Sequence, residues 1–159
     1  MSTDYTNSDG LEIRFSGPEA GQTGASVATL GAVKNLVVDF DFGTAITAGS
    51  DAHEAFIPAG SYITDAYLIV TTAATSAGTA TLTIGLAQKD NTVIDADGID
   101  ATIALAALGA SKVVRCDGVL AGGTASIGAA NGYVYTTPTT SNDAFTAGRG
   151  KLVIEYIEV

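Results

Sequence analysis

The chain has 159 residues, with 17 Asp and Glu against 7 Lys and Arg and a formal net charge of −10. That length suits one domain with a sizeable core, and the acidic balance argues against partners built on phosphate, whether nucleic acid or an anionic membrane surface. Charged residues make up 15% of the chain and hydrophobic residues 47%, against a usual charged share of about 25%, so part of the surface is expected to be buried against other chains.

Residues 1–32 read as an arm, dominated by Thr, Ser, Asn, Gly and Ala. One alternating piece stands out in it. Leu11, Ile13 and Phe15 share one face of a short strand, with Glu12 and Arg14 on the other. Gly17-Pro18 ends that piece, and the glycine-rich stretch 21–31 reads as a linker. Such a segment cannot build its own core, so it either packs on its own domain or reaches a neighbour and adds a strand there, with Leu11, Ile13 and Phe15 as its anchors. The start, Met1-Ser2-Thr3-Asp4-Tyr5, has neither a basic nor an apolar stretch, and no secretory signal is expected. No apolar run approaches the ~18–20 residues of a membrane-spanning helix.

The folded body is expected over 33–159. Leu36, Val38, Phe40 and Phe42 point one way and Asp39 and Asp41 the other, which is a half-buried strand of an antiparallel sheet. A Pro58-Ala59-Gly60 turn launches the next strand, 62–72. A third spans 79–88, with Leu82, Ile84 and Leu86 inward and Thr81 and Thr83 outward. Residues 100–109 are the one helix candidate, with Asp100 as cap, Ile103, Ala104, Ala107 and Leu108 as a face, and Gly109 as terminator. β character resumes at 112–115 and turns at Asp117-Gly118. Residues 122–130 fit strand or loop, and Asn131-Gly132 signals a hairpin. A strand leaves it through Tyr133-Val134-Tyr135-Thr136, with Pro138 at its end or on an edge. In the last strand Leu152, Ile154 and Tyr156 face one way and Val153, Glu155 and Ile157 the other. Many strands and regular turns predict an all-β, antiparallel two-sheet sandwich, with the jelly roll as the preferred topology.

Reactive residues are scarce. The single histidine, His53, sits in a polar stretch and reads as a solvated loop residue. The single cysteine, Cys116, cannot form an internal disulfide and reads as a small buried thiol. Arg115 beside it would face the opposite side of a strand. One His and one Cys do not make a zinc site. Asp90, Asn91, Asp95, Asp97 and Asp100 crowd one expected loop, but their spacing departs from the helix–loop–helix calcium pattern, and acidic turns are mostly turns. Asp39 and Asp41 lie about 7 Å apart on one strand face; with no Trp in the chain to make a sugar platform, they read as a solvated face rather than a glycosidase pair. Gly122-Gly123 lacks the Lys-Ser/Thr of a phosphate loop. Neither an enzyme nor a cofactor or metal is expected.

The strand text nonetheless resembles a known group. The segment Ile57-Pro58-Ala59-Gly60-Ser61-Tyr62-Ile63-Thr64-Asp65-Ala66-Tyr67-Leu68-Ile69-Val70-Thr71-Thr72 is similar to one common in small structural proteins of tailed bacteriophages. So are Ala80-Thr81-Leu82-Thr83-Ile84-Gly85-Leu86 with the Asp95-Ala96-Asp97-Gly98 turn, and the ending from Ala147 to Ile157. The resemblance spans about 33–159. It implies a β-sandwich virion protein of the head decoration, or cement, type: a homotrimer on the capsid exterior, bound to the major capsid protein. A −10 subunit suits the outside of a shell better than an interior filled with DNA. The rival reading is a receptor- or glycan-binding fibre or tail tip module, for which Tyr133 and Tyr135 would be the platform; a tail-tube or connector component is a third.

Overall fold

The computed structural model describes residues 33–47, 55–139 and 143–159, together with the backbone of two short strands, β1 (Tyr5–Thr6) and β2 (Glu12–Ile13). These two pair antiparallel with each other in a ladder of their own. The anchors assigned above, Leu11, Ile13 and Phe15, fall outside the described residues, save for the backbone of Ile13 in β2.

The body holds seven strands among the described residues: β3 (Lys34–Asp41), β4 (Tyr62–Ser76), β5 (Thr81–Ala87), β6 (Val93–Ala104), β7 (Val113–Arg115), β8 (Tyr133–Pro138) and β9 (Phe145–Ile157). They form one sheet of order β3-β9-β4-β7 and a second of order β6-β5-β8, and every pairing is antiparallel. The body's first strand beside its last, in the order β3-β9-β4-β7, facing β6-β5-β8, is the double Greek key of a jelly roll. The place of its remaining strand, beside β8, is held by chain from between β3 and β4. Thr136 N donates to Ile46 O (3.1 Å), and Ile57 N donates to Gly132 O (2.8 Å), with Gly132 N returning a bond to Ile57 O (2.9 Å). The structure therefore has the all-β sandwich and jelly-roll topology expected from the strand patterns.

Period-2 patterning explains which side chains fill the space between the sheets. Leu36, Val38, Phe40 and Phe42 alternate inward from β3 and its end, Leu152, Ile154 and Tyr156 from β9, and Ile63, Ala66, Leu68 and Val70 from β4. They meet Leu82, Ile84 and Leu86 from β5 and Ile99 and Ile103 from β6 in one continuous cluster. Phe42 stands edge-on to Phe40 (5.6 Å) and tilted against Phe145 (6.1 Å), plugging one end. The entry to β4 is a tight turn in which Ser61 N donates to Pro58 O (3.2 Å). Its third residue, Gly60, has φ 79°, a conformation that excludes most side chains.

The structure corrects three local expectations. Residues 100–104 are not the start of a helix but the end of β6, where Ile103 pairs with Leu82 and Asp100 with Ile84. Ile99 and Ile103 fit a pleated, buried surface, and the β5 partner outweighs the alanine-driven helical preference. Asp100 does not cap a helix: it is buried and accepts the backbone N–H of Thr102 (3.0 Å). Only Leu105–Ala107 turns, as a single 3-10 turn ended by Leu108. Asn131-Gly132 does not form a hairpin turn either, since neither residue has positive φ. Gly132 instead bridges to Ile57, and the Asn131 side chain accepts from Ala59 N (3.0 Å). The acidic stretch 90–100 is not one loop: a turn around Asn91 (φ 67°) leads directly into β6.

Candidate interaction surface

The outward face of the larger sheet follows from the register. Because alternate residues leave on opposite sides, β3 presents Val37, Asp39 and Asp41 outward, opposite Val153, Lys151 and Arg149 of β9. Two cross-strand ion pairs result, Lys151 Nζ to Asp39 Oδ2 at 3.2 Å and Arg149 Nε to Asp41 Oδ1 at 2.7 Å. Farther across, Asp65 of β4 stands opposite Glu155 of β9, a like-charge pairing that opposes folding unless offset. Arg115 of β7 supplies the offset, gripping Asp65 with Nε to Oδ1 at 3.1 Å and Nη2 to Oδ2 at 3.0 Å. Tyr67 O–H donates to the same carboxylate at 2.9 Å. The Arg115 guanidinium, joined by the Tyr67 hydroxyl and the Ala66 N–H, holds the Asp65 carboxyl below its usual range.

Between these ion pairs lie exposed apolar side chains. Val37 is 48%, Ile69 37% and Val113 61% exposed, with half-buried Val153 and Tyr67 among them. Three of the chain's 7 basic residues, Arg115, Arg149 and Lys151, sit on this face against Asp39, Asp41, Asp65 and Glu155. The face is therefore close to neutral, and the excess negative charge lies elsewhere, at Asp90, Asp95, Asp97, Asp100, Asp117 and Asp143 among others. A balanced face with apolar side chains can approach another acidic subunit without the repulsion that the rest of the surface would meet. An open groove of about 360 Å³ runs along it, lined by Asp39, Phe40, Asp41, Thr71, Arg149 and Gly150. Its two carboxylates are each tied to a cation of β9.

The acidic residues of β6 do not gather as a cation site. Among the described residues no group of three or more His, Cys, Asp or Glu side chains could hold a metal ion. Asp90 is occupied by its own turn, accepting Thr92 N at 2.9 Å. Asp95 Oδ1 accepts Asp97 N at 3.3 Å, and burial, with the Asp97 carboxyl beside it, raises the Asp95 carboxyl above its ordinary value. Cys116 is buried, as expected for a structural thiol, and desolvation pushes its pKa up to about 12, with the charges of Asp100, Asp117 and Asp65 adding to the rise. Arg115, its neighbour in sequence, points to the other side of β7 and is spent on Asp65. His53 falls outside the described residues. Of the two candidate sugar-platform tyrosines, Tyr133 is buried and its ring packs on Phe56 at 5.5 Å, while Tyr135 is half-buried.

Sequence reasoning missed Arg115, Asp65 and Tyr67 as a unit, because nothing in the spacing shows which strands become neighbours. Alternation marks Asp39 and Asp41 as outward positions of β3, but the exposure of Val37 and Val113 together on one face depends on the order of the strands.

No family model matches the chain, and no curated protein matches it significantly. Solved structures do. A chain of the cyanophage Pam1 capsid asymmetric unit is similar with a TM-score of 0.60 and 19% identity, over 89% of this chain and 95% of that one. A chain of the capsid of Ralstonia phage GP4 is similar with a TM-score of 0.55 and 19% identity, over 87% of this chain and 91% of that one. At such identity the likeness is one of fold, shared with chains of two phage capsids.

Proposed function

We propose that this chain is a virion structural protein that decorates the outside of a tailed-phage head and stabilises it by non-covalent contacts. The observation that carries this reading is the two-way coverage of the likeness, 89% and 95% in one case and 87% and 91% in the other. Each matched chain is thus a small subunit about as long as this one, with a sandwich and little else, not a larger chain that merely contains one. Charge supports an exterior place, since a −10 subunit is repelled by packaged DNA. The near-neutral outer face of the larger sheet supports contact with protein. In this reading the protein sits as a homotrimer against the major capsid protein, with Leu11, Ile13 and Phe15 as arm anchors.

Binding of the purified chain to capsids that lack it, followed by electron microscopy of the particles, tests the proposal. Saturable density on the outer surface, with a rise in capsid melting temperature, is the expected result. Density confined to the tail would refute it.

A further inference from the structure

Sheet edges are templates for strand pairing, and proteins normally block them. Three of the four edges of this sandwich are blocked. β7 is three residues long. β6 is broken by three register shifts against β5, and Gly118 N and Leu120 N bond to Ile99 O and Gly98 O along it (2.8 Å each). β8 is met by Ile46 at Thr136, is preceded by Gly132 bonded to Ile57, and ends at Pro138. β3 differs. Its register with β9 runs from Lys34↔Tyr156 to Asp41↔Arg149 without a shift. From Lys34 to Phe40, no backbone group of any described residue outside β9 bonds to it. Among the described residues it is a regular, open edge, and the 32 residues that precede Val33 lead straight into it.

We infer that β3 accepts, as an added strand, the segment Leu11-Glu12-Ile13-Arg14-Phe15 of a second copy of this chain. The inference rests on the decoration reading for its purpose but not for its geometry. The segment's apolar residues alternate as those of β3 do, so Leu11, Ile13 and Phe15 extend the inward row of Leu36, Val38 and Phe40. Charge selects the direction. Run antiparallel over those three residues, the segment sets Glu12 opposite Asp39, a destabilising like pair. Run parallel, it sets Glu12 opposite Val37 and Arg14 opposite Asp39, where the cation joins the existing pair with Lys151.

The parallel direction also selects the donor. A parallel neighbour from the same chain requires a crossover of a dozen or more residues, usually helical. Residues 16–33 carry Gly17, Pro18, Gly21, Gly24 and Gly31 in that place. Within one copy Glu12–Ile13 pair with Tyr5–Thr6 and not with β3. A second copy needs no crossover, and the pairing with Tyr5–Thr6 takes up only one edge of Glu12–Ile13.

The test uses the full chain in solution. An Arg14→Cys chain is mixed with an Asp39→Cys chain and oxidised; buried Cys116 does not compete. An interchain disulfide between the two variants is expected, and its loss when Leu11, Ile13 and Phe15 are all changed to Asp. Glu12→Cys mixed with Asp39→Cys is expected to link poorly. In parallel, amide exchange over 34–40 should slow as wild-type concentration rises and should not slow in the triple Asp variant. No interchain link with concentration-independent exchange overturns the inference, as does a link formed only within chains carrying both cysteines. Preferred linking of Glu12→Cys overturns the parallel register. A positive cross-link in a protein absent from virions would remove the decoration reading and leave strand addition standing.

Discussion

Cys116 gives the sharpest check on the packing of the sandwich. The residue is 4% exposed, and its thiol pKa is pushed up to about 12, chiefly by burial. At pH 8 the thiolate fraction in the fold is then about 10⁻⁴, against about a quarter for an unperturbed cysteine of pKa about 8.5. Ionisation alone thus slows the native thiol by about 10³-fold, of which the greater nucleophilicity of a high-pKa thiolate returns about one to two powers of ten. Exclusion by the surrounding chain adds the larger factor. If a bulky aromatic disulfide reaches the sulfur only on opening, a stability of even about 5 kcal/mol limits the open fraction to about 2 × 10⁻⁴. We expect native labelling at least about 10³-fold slower than in urea-unfolded protein, accelerating with urea in step with loss of the β circular-dichroism signal. A native rate within about tenfold of the unfolded rate would refute the reasoning, because it would require the thiol to be solvated.

A methyl group added by Gly85→Ala would collide with the Asp95 carbonyl oxygen and the Ala96 backbone; a loss of about 3 kcal/mol is expected, read as a lower urea midpoint, and an unchanged midpoint would count against the β5–β6 packing. Ser61 Oγ is buried with no hydrogen-bond partner in the structure, so Ser61→Ala should leave the thermal midpoint unchanged or raise it; a fall above about 1 kcal/mol would show that a bond had been lost. Carbon-13 NMR titration should place the Asp100 carboxyl above its ordinary value, because of burial, and that of Asp65 below, because of Arg115. Asp100 then contributes stability that is full below its unfolded pKa and lost as pH rises through the folded one, whereas Asp65 contributes stability present above its unfolded pKa and lost as pH falls through the folded one. Midpoints measured between pH 3 and 7 should therefore show Asp100→Ala flattening the upper part of the profile and Asp65→Ala the lower; the reverse assignment would refute both causes.

What could be read from the sequence was what a period of two enforces. β3, β5 and β9 have one face buried, so a slip of one residue would turn their apolar sets to solvent. That constraint is written in Leu36-Val37-Val38-Asp39-Phe40 and in Leu152-Val153-Ile154-Glu155-Tyr156. The end of β6 carries no such signature. Ala101, Ala104, Ala106 and Ala107 favour helix locally, and only the pairing of Ile103 with Leu82 decides otherwise. Asn131-Gly132 failed for a related reason: the Ile57 strand segment, 75 residues earlier in the chain, claims the backbone that a hairpin would have used. The surface was legible in part. Outward positions followed from alternation, but the Asp65–Arg115 pair joins residues 50 apart and exists only once β4 and β7 are neighbours.

The charges beside the open edge give it selectivity. An antiparallel pair of two β3 strands about a twofold axis keeps both inward rows inward only when some residue of 34–41 faces its own copy. Centred on Asp39, that pairing sets two aspartates directly opposite; centred on Val38, it sets Asp39 opposite Val37 and Asp41 opposite Asn35, with four carboxylates along one short seam. Like charges so placed oppose self-pairing, which is how natural sheets keep flat edges from joining indiscriminately. A strand bringing Arg14 to the same seam meets attraction instead. The discrimination lies in the difference between the two pairings and not in the strength of either. The two aspartates of β3 thus disfavour pairing with their own copy yet admit a cation, and residues 11–15 place Arg14 between Ile13 and Phe15 at the spacing β3 presents, with Glu12 set opposite Val37 in the parallel register.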